Sequence, residues 1–334
     1  MSALAETAPA KPRFRLDLGL IAPFLALGVL LVAGYFVNPR FLDADNIANV
    51  VTRSAFIATI AVGQTLVITA GGLDLSVGAM AALVSGVTIL FLNAGLIDNP
   101  TLLIGCAMLL AMALGSACGL VNGLTTTLGG IEPFIVTLGT MGIFRSLTTW
   151  LAQGGSIVIK SQDLRAAYRP VYFGAFLGVP IPVYAIAGVT LIGAFILYRA
   201  AYGRHLMAVG SNEEVARHSG VNVTRVRTLT YVLQGLCVGI AVIIYIPRLG
   251  STTSTTGLLW ELQAITAVVI GGTRLKGGVG RVFGTIAGAL ILEAIGNVMV
   301  LSNFVSEYLI GAVQGAIIVV AMLAQRGLAG ARKG

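Results

Sequence analysis

Apolar runs of about 20 residues recur along the chain, separated by short polar or glycine-rich breaks. A helix rises about 1.5 Å per residue, so each run is long enough to cross roughly 30 Å of hydrocarbon. The first run, 18–37, follows a tail (1–17) that carries Lys11, Arg13 and Arg15. A basic-then-apolar start also marks signal peptides. This run is too long for a signal core and no small-residue cleavage site follows, so it reads as the first membrane helix. The mixed stretch 41–51 reads as a helix lying at the interface. Further spans are predicted at 54–70, from the 71–78 break to 96, and at 102–123, 133–151, 181–198, 228–246, 258–271, 282–301 and 304–323. A basic tail, 324–334, follows. In lipid the backbone must satisfy its own hydrogen bonds, so these runs are expected to be helical. The expected fold is an all-α integral membrane protein: a polytopic bundle of about ten transmembrane helices occupying 18–323.

Composition strengthens this picture. The chain is 57% hydrophobic and 10% charged, too little polar surface to cover a soluble globule. Its 43 glycines suit close helix packing and also predict broken helices. The net charge of +8 serves orientation rather than nucleic acid, because no basic stripe with interleaved aromatics exists. With the N-terminus inside, most basic residues fall inside. Outside lie Arg40, Arg53, Lys160, Arg165, Arg169 and Arg248, and Arg145 falls within a span. The positive-inside rule therefore puts both termini and the loop 200–227 in the cytoplasm.

That loop is the polar exception. It holds Arg204, Glu213, Glu214, Arg217, Arg225 and Arg227, and both histidines, His205 and His218. Ser211 followed three residues later by Glu214 has capping-box spacing, which predicts a helix over 212–219 starting at Asn212. Glu213 and Glu214 suit its positive end, Arg217 suits its negative end, and Gly220 supplies a left-handed stop. Ala216 is small enough for close approach to a partner. So short a helix needs neighbours or a partner to hold it. On these residues alone, a capped surface turn and a docking element both remain open.

Two glycine-rich breaks echo each other: Gly71-Gly72-Leu73-Asp74-Leu75-Ser76-Val77-Gly78 and Gly271-Gly272-Thr273-Arg274-Leu275-Lys276-Gly277-Gly278. Transporters carry paired, Gly-interrupted segments near their substrate path. Both breaks fall on one side of the predicted topology, whereas an inverted repeat needs opposite sides. The echo is then coincidental, or one break lies deeper. Asp74 with Ser76 organises a broken helix, Ser76 being placed to cap the helix from Val77; alternatively Asp74 is a solvated turn residue. A side chain at Gly72 would strain a backbone that needs positive φ.

Arg145 and Glu293 sit within apolar runs, where charges pair or face a cavity, and they are candidates to pair with each other. Glu261 lies near a span start. Gln64, Gln234, Gln263, Asn297 and Gln314 line a wet path or bond between helices. The candidates for a gate or substrate path are thus Gln64, Gly71, Gly72, Asp74, Ser76, Gly78, Arg145, Glu261, Gly272, Glu293 and Asn297. No catalytic constellation, no metal-ligand motif and no phosphate-binding G-x-x-x-x-G-K-[ST] loop is present. Cys106, Cys118 and Cys237 lie in apolar runs and read as packing residues. Trp150 and Trp260, near span ends, read as interface anchors.

The run GRHLMAVGSNEEVARHSGV resembles the cytoplasmic loop of ribose-type permeases, the membrane subunits of bacterial ATP-binding cassette (ABC) sugar importers. TAGGLDLSVGA (69–79), NGLTTTLGGIEPFIVTLGTMGIFRSL (122–147) and ELQAITAVVIGGTRLKGGVGRVFGTIAGAL (261–290) resemble the same family. The resemblance covers nearly all of the chain after residue 17. It implies a permease of the bacterial inner membrane that passes a monosaccharide or polyol. The implied partners are a cytoplasmic ATPase that holds ATP and Mg, an extracytoplasmic sugar-binding protein and a second permease copy or paralogue. It assigns the coupling contact with the ATPase to Ser211, Asn212, Glu213, Glu214, Ala216, Arg217 and Gly220. No cofactor is expected on this chain. The nearest alternatives are a branched-chain amino acid or nucleoside ABC permease. An ion-coupled carrier is disfavoured by the sparse charge, and a membrane enzyme by the missing catalytic set.

Overall fold

The computed structural model describes residues 18–302 and isolated positions between 309 and 319. Both tails, Gln314 and most of the predicted span 304–323 lie outside the described residues. The chain runs α1 (Leu18–Val37), a 3-10 turn (Pro39–Leu42), α2 (Ala44–Thr69), α3 (Val77–Ala94), α4 (Pro100–Leu128), α5 (Pro133–Leu151), β1 (Ser156–Val158), α6 (Gln162–Tyr168), α7 (Pro170–Phe173), β2 (Ala175–Phe176) and β3 (Val179–Pro180). It continues through α8 (Ile181–Tyr198), α9 (Ala201–Ser211), α10 (Glu213–His218), α11 (Val223–Leu249), β4 (Ser251–Thr253), α12 (Trp260–Ile270) and α13 (Val282–Ser302).

Among the described residues, seven helices are long and apolar enough to span: α2, α3, α4, α5, α8, α11 and α13. α1 adds a 20-residue apolar helix. α12 has only 11 residues, about 16 Å, so the helix at the predicted eighth span is about half the length needed to cross the hydrocarbon. The predicted interfacial helix 41–51 and span 54–70 prove to be largely one helix, α2. Its polar start is absorbed by partners: the Asn46 amide donates to the Phe41 carbonyl at 2.8 Å and exchanges hydrogen bonds with Asn297 at 2.9 Å. α4 runs past the predicted 102–123 at both ends. Pro100 opens it at a position that needs no amide donor, and the Asn99 side chain accepts from the Thr101 and Leu102 amides.

α11 is the central helix, packed on α4 and α2. The α4 contact is a seam of small residues. Added β-carbons at Gly115 and Gly119 would strike the Gly235 and Tyr231 carbonyls, and one at Gly239 would strike the Ala111 carbonyl. Helices this close gain dispersion where lipid offers no hydrophobic drive. The polar connection after α5 is structured. β1 pairs antiparallel with β4 in the register Ile157↔Thr252. Leu164, Tyr168 and Tyr172 form a buried stripe on α6–α7, and the Tyr168 hydroxyl donates to the Ile243 carbonyl at 3.2 Å.

Candidate functional site

The first candidate is the break between α2 and α3. α2 ends in a Schellman stop: the Gly71 amide donates to the Ile68 carbonyl at 2.9 Å and the Gly72 amide to the Val67 carbonyl at 3.0 Å. Gly71, at φ +82, is the left-handed residue. The positive φ considered for Gly72 therefore belongs to Gly71. Gly72 is constrained by space instead, since a β-carbon there would sit 2.7 Å from the Tyr231 hydroxyl. α12 ends in the same way. Gly272, at φ +85, donates to the Val269 carbonyl, and Thr273 to the Val268 carbonyl. The sequence echo is thus two copies of one helix stop. The stops are offset by one residue from the sequence match, because Gly71 corresponds to Gly272 rather than to Gly271.

After the stop, residues 72–76 run without helical structure into the protein interior. Asp74 is fully buried, which removes the solvated-turn reading. Its Oδ1 accepts from the Ser76 amide at 2.8 Å and from the Ser76 hydroxyl at 2.6 Å. Asn122, on α4, donates to Ser76 Oγ at 2.8 Å and lies 3.5 Å from Asp74 Oδ2. Ser76 does occupy the position before α3, but its hydroxyl serves Asp74 and makes no side-chain cap. The Tyr231 hydroxyl donates to the Leu73 carbonyl at 3.3 Å. Irregular backbone at membrane depth is tolerated where protein groups satisfy it, as these do. Asn122 and Tyr231 were not among the sequence candidates. The usable signal for Asn122 was a lone amide at the head of its glycine-rich run.

The remaining path candidates scatter. Gly78 faces the turn before α12, where a β-carbon would strike the Gly257 carbonyl and approach Glu261 Oε2 at 2.8 Å. Arg145 does not pair with Glu293. Its Nη1 donates to the Ser254 and Thr256 carbonyls, which anchors the same turn, while Glu293 pairs with Arg53 at 3.0 Å. Gln64 and Gln234 are fully buried on α2 and α11, with no hydrogen-bond partner among the described residues. Asn297 serves Asn46 and joins α13 to α2.

The second candidate is the loop between α8 and α11. α10 forms as expected, but its cap shifts by one residue. Asn212 is the cap, and its side chain accepts from the Val215 amide at 3.0 Å. Ser211 still belongs to α9, where its hydroxyl donates to the Met207 carbonyl at 2.8 Å, so no capping box with Glu214 forms. Gly220, at φ +82, is the left-handed stop. Glu213 pairs with Arg217 and with Arg227, each at 2.7 Å. Ala216 is 3% exposed and packs with Leu206, Val209, Val223 and Val226. It is buried against this chain, which leaves little of its surface for close approach to a partner. The outward apolar residue is Val215, 60% exposed. Tyr202 ties α9 to α11: burial pushes its phenol up to about 12 against the opposing effect of the Thr230 hydrogen bond. It bonds Thr230 Oγ1 at 2.7 Å and the Val226 carbonyl at 3.0 Å.

The two candidates meet at Gly210. A β-carbon there would strike the Thr69 carbonyl and lie 2.7 Å from the Gly278 amide. That amide donates to the Thr69 carbonyl at 2.9 Å. Both glycine-rich breaks and the end of α9 therefore join at one end of the bundle, as the predicted topology requires. Both breaks also bury a polar residue, Asp74 in the first and Thr273 in the second.

The structure is a helical bundle whose two glycine-rich breaks converge on the paired short helices α9 and α10. The fold matches that of a solved ABC transporter assigned to the metal-chelate type, in an inward-facing conformation, with TM-score 0.53 at 14% identity over 91% of this chain and 98% of that one. Residues 46–322 match the family described as branched-chain amino acid transport system, permease component, and the chain belongs to that family. It is 38% identical over 308 residues to the ribose import permease protein of Bacillus subtilis, covering 92% of each chain. It is 32% identical over 324 residues to the D-allose transport system permease protein of Escherichia coli K12, covering 96% of each. Identity to the galactofuranose transporter permease protein of the same organism is 35% over 316 residues, covering 91% of this chain and 89% of that one. This chain is a multi-pass ABC permease subunit.

Proposed function

We propose that this chain passes a monosaccharide or related polyol across the bacterial inner membrane into the cytoplasm, driven by a separate ATPase that holds ATP and Mg. The relatives named for ribose, D-allose and galactofuranose support the sugar class. The observation that carries the coupling part is α10: a capped helix with Val215 outward, at the end where both glycine breaks converge. In this reading the ATPase receives α10 through Val215, Glu214 and the Glu213–Arg217–Arg227 network. Asn212, Ser211 and Gly220 set its ends. Asp74, Ser76 and Gly78 with Asn122 form the gate region. An extracytoplasmic sugar-binding protein delivers the sugar, a second permease copy or paralogue completes the path, and the tails 1–17 and 324–334 are cytoplasmic.

Sugar uptake in proteoliposomes is expected to require the ATPase and ATP. Uptake by this chain alone on a proton or sodium gradient would refute the reading. Val215→Glu is expected to leave folding unchanged, because the side chain stands in solvent. Co-purification with the ATPase should weaken roughly 10–30-fold, the scale of an apolar contact residue turned into a charge. Unchanged co-purification and unchanged stimulation of ATP hydrolysis would mean that α10 is a surface turn. Asn212→Ala removes the cap and should cost about 1 kcal/mol in thermal unfolding. Glu214→Ala should be near neutral, since it closes no box.

A further inference from the structure

α11 begins beside α10, so its last residue, Leu249, marks the opposite end of the bundle. A hollow of about 500 Å³ opens there between α6–α7 and the end of α11, and Arg165, Arg169 and Arg248 line it. The Arg165 Nε donates to the Ile159 carbonyl at 2.7 Å. Arg169 stacks over Phe173 at 4.9 Å, and Arg248 lies 5.7 Å over Tyr172. No carboxylate pairs with these three guanidinium groups among the described residues. Glu293 pairs with Arg53 at 3.0 Å and its charge also acts on Arg248, which leaves Arg165 and Arg169 as the two uncompensated guanidinium groups. Asp163 is two positions from Arg165, a spacing that puts the two side chains on different faces of α6. Two uncompensated cations at one hollow repel each other unless an anion joins them.

The rim shows which anion. α7 leads directly into the β2–β3 hairpin, whose tip is apolar and exposed: Phe176 at 63% and Leu177 at 85%. Phe173 is also exposed at 54%. The hairpin leans on α8, where the Tyr184 hydroxyl donates to the Phe176 carbonyl at 2.7 Å, and α8 presents Leu191, Ile192 and Phe195 outward. An apolar tip beside such a helix belongs at the boundary of acyl chains and headgroups. The arginines alongside it then lie at phosphate depth. Guanidinium groups bind phosphate oxygens through paired N–H donors.

We propose that this hollow binds the phosphate of an anionic phospholipid, with the acyl chains lying along Phe173 and the hairpin tip. Basic pockets between membrane helices on the cytoplasmic side take anionic headgroups by this chemistry, and the same guanidinium–phosphate pairing is open to the outer leaflet. The site is separate from the sugar reading, because binding is measured without transport.

The test uses the purified chain in neutral detergent, with bound lipid counted by native mass spectrometry and affinity read by titration. The probes are dihexanoyl phosphatidylglycerol, dihexanoyl phosphatidylcholine and glycerol 3-phosphate. Phosphatidylglycerol should bind in preference to both others, and Arg165→Gln with Arg169→Gln should weaken it about 30-fold, the factor for two arginines near a charged headgroup. If the double variant fails to fold, Arg169→Gln alone serves, since among the described residues that side chain contacts the Phe173 ring and makes no hydrogen bond; it should weaken binding about fivefold. Equal binding of phosphatidylglycerol and phosphatidylcholine would overturn the proposal. Glycerol 3-phosphate binding as tightly as the lipid would overturn it too, leaving a site for free anions. So would variants that keep the lipid but lose stimulation by the extracytoplasmic binding protein, because the arginines would then dock that protein's acidic surface.

Discussion

Gly210→Ala is expected to leave the chain in the membrane and bound to its ATPase, yet to uncouple ATP hydrolysis from uptake. The new β-carbon has no free space. It strikes the Thr69 carbonyl, the last helical carbonyl before the first break, and crowds the Gly278 amide in the second. The neighbours are backbone, so no flexible side chain can swing away. Overpacking of this kind costs roughly 1–3 kcal/mol and shifts the elements apart. The Val215 face of α10 is untouched, so docking should persist. What is lost is the register between α9 and the two helix stops. Sugar moved per ATP should then fall roughly 5–150-fold, the range of ordinary coupling energies. Simultaneous measurement of uptake and phosphate release decides the matter. A normal ratio of sugar to ATP would show that motion does not pass through this junction.

Asp74→Ala is expected to be the most damaging change within the membrane. The carboxylate accepts from the Ser76 amide and hydroxyl and faces the Asn122 amide, all of them buried. Alanine strands two donors outright. At about 1–3 kcal/mol for each buried unsatisfied group, the loss is roughly 2–6 kcal/mol. Asp74→Asn keeps one acceptor oxygen and should fall between alanine and the native residue. Thermal unfolding and uptake should therefore rank alanine below asparagine below native. If all three behave alike, the segment is a tolerant turn. Gly72→Val should also impair uptake. The cause would be displacement of the Tyr231 hydroxyl from the Leu73 carbonyl, not a positive φ.

These outcomes depend unequally on the sequence and on the tertiary structure. The bounds of α5 and α8 were legible residue for residue, because each opens beside a proline and ends where apolar periodicity stops. The left-handed stop at Gly220 was legible too, since a glycine after a short capped run needs no distant partner to act. The existence of α10 followed from the Ser211–Glu214 spacing together with the charges at its ends. Its cap did not: α9 continues through Ser211 and occupies that hydroxyl, a fact set by where the preceding helix ends. Nor could local pattern show that Ala216 faces Leu206 and Val226 while Val215 faces out. Glu293 met Arg53 rather than Arg145 for the same reason. A buried charge takes the partner that packing brings near, and these partners lie more than 100 residues apart in the chain. Burial of Asp74 likewise needed α4 and α11, which carry Asn122 and Tyr231 to it. The sequence by itself determined membrane residence, the stop at Gly220, the polar loop and the permease family, since these rest on composition, on local motifs and on contacts a few residues long. Tertiary structure alone decided which side chains face one another and where the breaks converge, because those energies exist only once separate helices have packed.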